Sequence, residues 1–327
     1  MNRYIRLSFF ILTLAIAQPA VARVKLLRQQ SLSSWHILPA NYSGITPLGN
    51  DRYAVVDDKS ATDGFYIFTI HLHQRSGRVR NVSCSSLIAR SDSLKPKADC
   101  EDIVFCPADT TLFIAQEGNC SVVQYTMEGQ PTGRTLTLPD NFRQSNMQHN
   151  AGFEALAYDT ILHRFFLTTE QPLLGDSLHR LAIISPLRND MQQLPYRIDN
   201  PELTRKPLYY AHGIAAMTYL GDDRLLVMER ELCVPRRYLG GKCRIKIYSV
   251  DLNEQDITPT KGMTKQLVAS FTTHISRLNY ANYEGMCVGP TLEDGRRTLL
   301  LINDSQGGVH NGPFHLKDYL KVIILDH

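Results

Sequence analysis

One phrase, a short apolar run, a polar turn and a second apolar run ending in a charged residue, is written five times along this chain. The copies are "NYSGITPLGNDRYAVVDD" from Asn41, "DCEDIVFCPADTTLFIAQE" from Asp99, "GFEALAYDTILHRFFLTTE" from Gly152, "AHGIAAMTYLGDDRLLVMER" from Ala211 and "YEGMCVGPTLEDGRRTLLLIND" from Tyr283. Runs of this length around a Gly, Asn or Asp turn read as β-hairpins buried on both faces. Two more strand-like runs follow most copies, for instance "FYIFTIHL" and "RVRNVSC" after the first and "RIKIYSV" and "KQLVASF" after the fourth. Four short strands per repeat make the blade of a β-propeller. The copies recur roughly 53 to 72 residues apart, a spacing that a blade with its loops needs.

The expected fold is therefore all-β, a single propeller of four-stranded blades. The motif count is five; a sixth, degenerate blade is the alternative, with little unassigned sequence to hold it. The last copy has only three strands before the chain ends, the third being "LKVIIL" from Leu320. The N-terminal run "RVKLLRQQSL" is the natural fourth, closing the ring and removing a free sheet edge.

Composition narrows the function classes. With 327 residues, 43% hydrophobic and 20% charged, the chain is globular in character. A net charge of +3 without a basic block gives no case for nucleic acid. Arg3 and Arg6, the run "LSFFILTLAIA" and the small-x-small pattern Ala20-Val21-Ala22 together read as an export signal over residues 1–22, with a propeller domain over 23–327. The run is shorter than the roughly 20 residues that span a bilayer, so no transmembrane anchor is expected after cleavage, and the location is periplasmic or extracellular. An exported chain meets oxidising conditions, and of seven cysteines Cys233 and Cys243, which flank "VPRRYLGGK", are the expected disulfide.

In a propeller the start of each first strand and the end of each second strand share one rim. Aligned on the motif, the first position holds Ser43, Glu101, Glu154, His212 and Glu284, and the second holds Asp57 or Asp58, Glu117, Glu170, Glu229 and Asp304. A single acid at a strand end is ordinarily just solvated. Many acids around one axis repel one another unless protons or cations offset them. A hard divalent cation such as calcium is one answer, and shared protons with raised carboxyl pKa values are the other. His212 is the exception in the ring, a candidate acid, base or ligand as well as a hydrogen-bonded channel residue. Basic groups lie nearby in sequence at Lys59, Arg230, Arg236 and Arg237, as an anionic substrate would need, and surface solvation explains the last two equally well. Ser43 sits in "NYSGI", not in a nucleophile elbow, and "SQGGVHNG" lacks the Lys-Ser/Thr of a phosphate loop.

The phrases "GFEALAYD", "DRLLVMER", "IKIYSVDL" and above all "NYEGMCVGPTLEDGRRTLLLINDSQ" resemble a secreted bacterial family described as phytase-like with esterase-like activity. The resemblance implies a propeller whose recurring acids form a phosphoesterase or phosphodiesterase site. Carried over residue by residue, its acids match Glu101, Glu154, Glu170, Glu229, Glu284 and Asp304, with Arg230 in "MER" and Asp57-Asp58 in the first copy. His212 and the single acid of "INDSQGG" depart from its pattern.

The expectation is a monomeric hydrolase of a small anionic ester or phosphoester, with calcium held by those eight acids and with Glu154, Glu284, His212 and Arg230 as catalytic groups. A non-catalytic envelope propeller that binds a glycan, lipid head group or protein is the alternative, since fold does not decide function. A lactonase-like propeller hydrolase is the third reading.

Overall fold

The computed structural model describes residues 24–60, 62–89, 99–203, 207–236, 238–258, 260–311 and 314–326. The export segment expected at 1–22 lies outside the described residues. Among these residues there is no α-helix, and no helix is long and apolar enough to cross a membrane.

Each of the five phrases forms the two inner strands of one antiparallel blade. Blade 1 runs Tyr42–Gly49, Arg52–Asp57, Gly64–Leu72 and Val79–Cys84. Blade 2 runs Cys100–Cys106, Thr111–Gln116, Ser121–Tyr125 and Pro131–Thr135, and blade 3 runs Phe153–Asp159, Arg164–Thr169, His179–Ser185 and Asp190–Tyr196. Blade 4 is longer, with Tyr209–Gly221, Arg224–Val234, Lys242–Asp251 and Lys265–His274. Blade 5 has Asn282–Val288, Arg297–Asp304 and Tyr319–Leu325, and its outer edge is covered by Val24–Leu26 and Gln30–Ser31. Val24 pairs with Leu325 and Gln30 with Leu320, so the N-terminal run closes the last blade. Each inner strand packs against the inner strands of both neighbouring blades, and a bridge between Asn41 and Asp304 ties blade 5 to blade 1.

The continuous apolar runs are explained by where the cores lie. Five apolar clusters fill the five gaps between blades, and successive residues of a strand face opposite gaps. Val55 packs with Leu300 and Ile302 toward blade 5, while Val56 packs with Ile103 and Ile114 toward blade 2. Phe165 joins Phe113 and Val122, and Phe166 joins Ile214 and Val227. Met228 and Leu299 share the gap between blades 4 and 5. A strand with polar residues on alternate positions would leave one of its two gaps unfilled. Burying a side chain such as Phe166 completely contributes about 1.5–3 kcal/mol, which offsets the ordering of its strand.

The expected disulfide is corrected. All seven cysteines are thiols. Cys233 lies opposite Lys242 and Cys243 lies opposite Leu232, so the two are one step out of register. Successive residues of a strand point to opposite faces, and their Sγ atoms are therefore directed to opposite sides of blade 4.

A chain beginning at Leu32 would lack both closing strands and expose the Tyr319–Leu325 edge. It should unfold at a lower urea concentration and self-associate more readily, as read by denaturation and light scattering. An unchanged midpoint would show that closure adds no stability.

Candidate functional site

The site begins with a distortion that recurs in every blade. In each inner pair the register slips near the rim: between Tyr42 and Ile45, Cys100 and Asp102, Phe153 and Ala155, Ile214 and Ala216, and Tyr283 and Gly285. A bulge leaves its extra residue unpaired and re-aims its side chain. The extra residues are Glu101, Glu154, Ala215 and Glu284, with Ser43 and Gly44 sharing the slip in blade 1.

Opposite the bulges lie the ends of the second strands. The N–H groups of Asp58, Glu117 and Glu170 donate to the carbonyls of Asn41, Asp99 and Gly152. The equivalent pairs in blades 4 and 5 are Gly213 with Arg230 and Asn282 with Asp304. The second rim position is thus Asp58, Glu117, Glu170, Arg230 and Asp304. Close packing of the blades depends on missing side chains here, since a Cβ on Gly213 would lie 2.2 Å from the carbonyl oxygen of Glu170. Gly152 likewise lets Glu117 cross from blade 2, and its N–H donates to Glu117 Oε1 at 2.7 Å.

This register corrects the alignment of the fourth copy. Ala215, not His212, stands where the other blades carry Ser or Glu, and Arg230, not Glu229, stands where they carry an acid. His212 sits farther out on its strand, opposite Glu231, and its carbonyl accepts from Gln171 Nε2. Glu229 is turned away from the rim: it accepts from Tyr196 Oη at 2.7 Å and from the Asp199 N–H at 3.0 Å, and it pairs with Lys265. Asp57 is buried inside the strand and accepts from the Lys59 N–H, whereas Asp58 reaches the rim. Glu117, present in the repeat but not counted among the expected ligands, belongs to the ring. The glycine that precedes the first apolar residue was the available signal, since setting Gly213 over Gly152 puts Ala215 over Glu154.

Asp58, Glu101, Glu117, Glu154, Glu170, Glu284 and Asp304 all line one cavity of about 850 Å³, with Lys59 and Arg230 among them. Arg230, 5% exposed, is at the centre of the charge balance. Its guanidinium donates to Glu170 and Glu284, donates to Asn282 Oδ1 at 3.2 Å and lies 3.5 Å from Glu154 Oε1. Asn282 in turn donates to Glu284 at 2.7 Å. Lys59 Nζ pairs with Asp58 Oδ2 at 2.6 Å. Gln306 caps Asp304 through both its N–H and its side chain.

The two cations among the described lining residues do not balance these seven carboxylates, nor Asp99, which lines the same cavity. Burial raises Glu101 well above the usual carboxylate range, with Glu284, Asp58 and Glu117 adding to it. Glu154 is raised in the same way by burial and by Glu170 and Glu101, against the pull of Arg230. Burial pushes Glu284 up to about 8, opposed by Arg230 and supported by Asp304 and Asp58. Asp58 is pushed up to about 6 by burial despite its bond to Lys59. Two orphaned polar atoms mark the same place: Asp58 Oδ1 and Arg230 Nε are buried without a hydrogen-bond partner.

A five-bladed propeller with a carboxylate ring at one mouth of its axis is a fold with a preformed polar site. The chain matches, over residues 40–306, the phytase-like family described as "Esterase-like activity of phytase", and it belongs to that family. Membership supports a hydrolase-type function on a propeller. No curated protein matches the chain. Solved structures of similar shape include a streptogramin B lyase (13% identity, 93% of this chain and 98% of that one, TM-score 0.39). Others are a nidogen/laminin complex (10%, 85% and 80%, 0.43) and the periplasmic gluconolactonase of Pseudomonas aeruginosa (13%, 86% and 88%, 0.36). At these identities and scores they carry no argument about activity.

Replacing Arg230 by Met leaves Glu170 without its ion-pair partner and removes the guanidinium that donates to Glu284. The expected loss is about 3–5 kcal/mol at neutral pH, measured by denaturation. The wild-type chain has its own pH dependence. Between the ordinary carboxylate value of about 4.5 and the folded value of about 8, folded Glu284 holds a proton that the unfolded chain has released. Stability should therefore fall as pH rises through that window, and Glu284→Gln should flatten part of the slope. A slope of the opposite sign would contradict the raised acids.

Proposed function

We propose that the chain is an exported, cation-dependent phosphoester hydrolase whose reaction takes place over the carboxylate ring. The observation that carries this reading is the convergence of seven repeat-placed acids on one cavity in which Arg230 and Lys59 are the cations among the described lining residues. An anionic ester cannot enter such a site until its charge is reduced. Export is proposed from the N-terminal charge and hydropathy pattern alone.

The donors fit a hard cation. All are carboxylate oxygens, the buried Asp58 Oδ1 has no partner, and Asp304 lies close enough to Asp58, and Asp58 to Glu101, to raise the neighbour's pKa. As they stand, no three His, Cys, Asp or Glu side chains among the described residues are grouped to hold a metal ion. Asp58, Glu101 and Asp304 are the acids that would hold it, which leaves Glu284 its proton. A bound calcium ion would supply charge neutralisation and polarisation of a phosphoryl oxygen.

The chain's own groups supply the rest. Lys59 and Arg230 face the cavity and offset substrate charge, and Arg230 fixes Glu170 through an ion pair and Glu284 by donating a hydrogen bond to it. Glu284, protonated near neutral pH by its raised pKa, can give a proton to the leaving oxygen. Glu154, less tightly held at 3.5 Å from Arg230, can orient water. A carboxylic ester or lactone is the second reading, favoured by Leu208, Tyr209 and Leu232, which line the same cavity.

Purified chain assayed with calcium against phosphomonoesters, phosphodiesters, carboxylic esters and lactones separates these readings. Phosphoester turnover that is lost on chelation and lowered about 10²–10⁴-fold by Glu284→Gln is expected. Turnover of none of these substrates would reject catalysis and leave a binding role. Calcium should also raise the thermal midpoint more at pH 8 than at pH 5.5, and Asp58→Asn should diminish that rise, because cation and proton compete for the same oxygens.

A further inference from the structure

Blade 4 differs from the others in length as well as charge. Its inner strand covers Tyr209–Gly221 and its second strand Arg224–Val234, so the pair continues past the rim, where the inner strands of blades 2, 3 and 5 stop. Along the second strand Arg230, Leu232 and Val234 are two residues apart and share one face, and all three line the cavity. The residues opposite them are Gly213, Ala211 and Tyr209, in the same order outward. One strand face thus runs from a buried guanidinium at its base, past a half-buried leucine, to a buried valine and, opposite it, an exposed tyrosine at the mouth. Leu208, 43% exposed, extends the apolar surface at the cavity edge. Four residue steps along a strand span about 13 Å.

We infer that the substrate is an ester with one anionic group and one apolar or aromatic arm, the anion seated over the ring beside Arg230 and the arm laid along Leu232, Val234 and Tyr209. The inference rests on the proposed phosphoester reading for the anionic end only. Charge argues the same way. A densely phosphorylated polyol would bring many anions to a mouth whose lining cations among the described residues are Lys59 and Arg230, and would leave the apolar face without a partner. A single anion with a hydrophobic arm uses both ends of the cavity.

Equilibrium binding keeps this test separate from catalysis. In calcium-containing buffer and in the Glu284→Gln background, where the proposed turnover is suppressed, 1-naphthyl phosphate, glycerol 1-phosphate and neutral 1-naphthol are titrated, following the heat of binding. 1-Naphthyl phosphate should bind at least tenfold more tightly than glycerol 1-phosphate. The double variant L208S/Y209S, which changes exposed positions and leaves the ring intact, should remove most of that difference, and Val234→Asn should do the same. Circular dichroism confirms that each variant is folded. Equal affinity for the two phosphates, no effect of the variants, or no binding of any probe overturns the inference. Binding of 1-naphthol as tight as that of 1-naphthyl phosphate, still lost in the variants, would keep the apolar wall and reject the anionic end of the proposal, and with it the phosphoester reading.

Discussion

A guanidinium buried at the axis carries the electrostatic balance of this propeller. Arg230 stands where four blades place a carboxylate, and it is paired with Glu170 and Glu284 and close to Glu154. Without it, Lys59 would be the one cation among the described residues of the mouth to face the acids. With it, Glu170 and Glu284 are fixed in position, and the acids, Glu101, Glu154 and Glu284 foremost, stay protonated more readily than carboxylates in water. A buried ion pair adds little net stability against an apolar core, but it holds a chosen geometry because breaking it is costly.

That geometry is produced by the backbone before any side chain acts. The five register slips lie at matching places, so each inner strand directs one residue toward the axis, and the neighbouring second strand ends beside it. Glycines at 152 and 213 let the blades approach until Glu117 and Glu170 cross from one blade to the next. The apolar gaps supply the packing that fixes these approaches, because every inner strand is gripped on both faces.

Blade 4 breaks the symmetry three times, in Ala215, in Arg230 and in its length. The first opens space in the ring, the second changes its charge, and the third builds an apolar wall over one side. A symmetric ring could bind a cation but could not tell one end of a ligand from the other. The polar cluster behind this blade, in which Glu229 and Glu231 hold the segment around Asp199 and Glu202, braces the wall from its far side.

Much of the fold was legible in the sequence because blade cores are written as local, periodic apolar runs around turns, and the number of copies equals the number of blades. The closing role of the N-terminal strand followed from a missing fourth strand in the last copy. Most of the acids were legible too, since Glu101, Glu154, Glu170, Glu284 and Asp304 recur at matching places. The fourth copy was misaligned because register is set by a bulge, and a bulge is a backbone event with no residue type of its own. One or two residues of slip decide whether Glu229 or Arg230 faces the axis, as they decided against a bond between Cys233 and Cys243. The sequence by itself determined which residues are available, how many blades form and which runs are buried. Which side chains share the cavity was decided only by tertiary structure, because strand pairing and close approach across the blade gaps bring together groups that lie far apart along the chain.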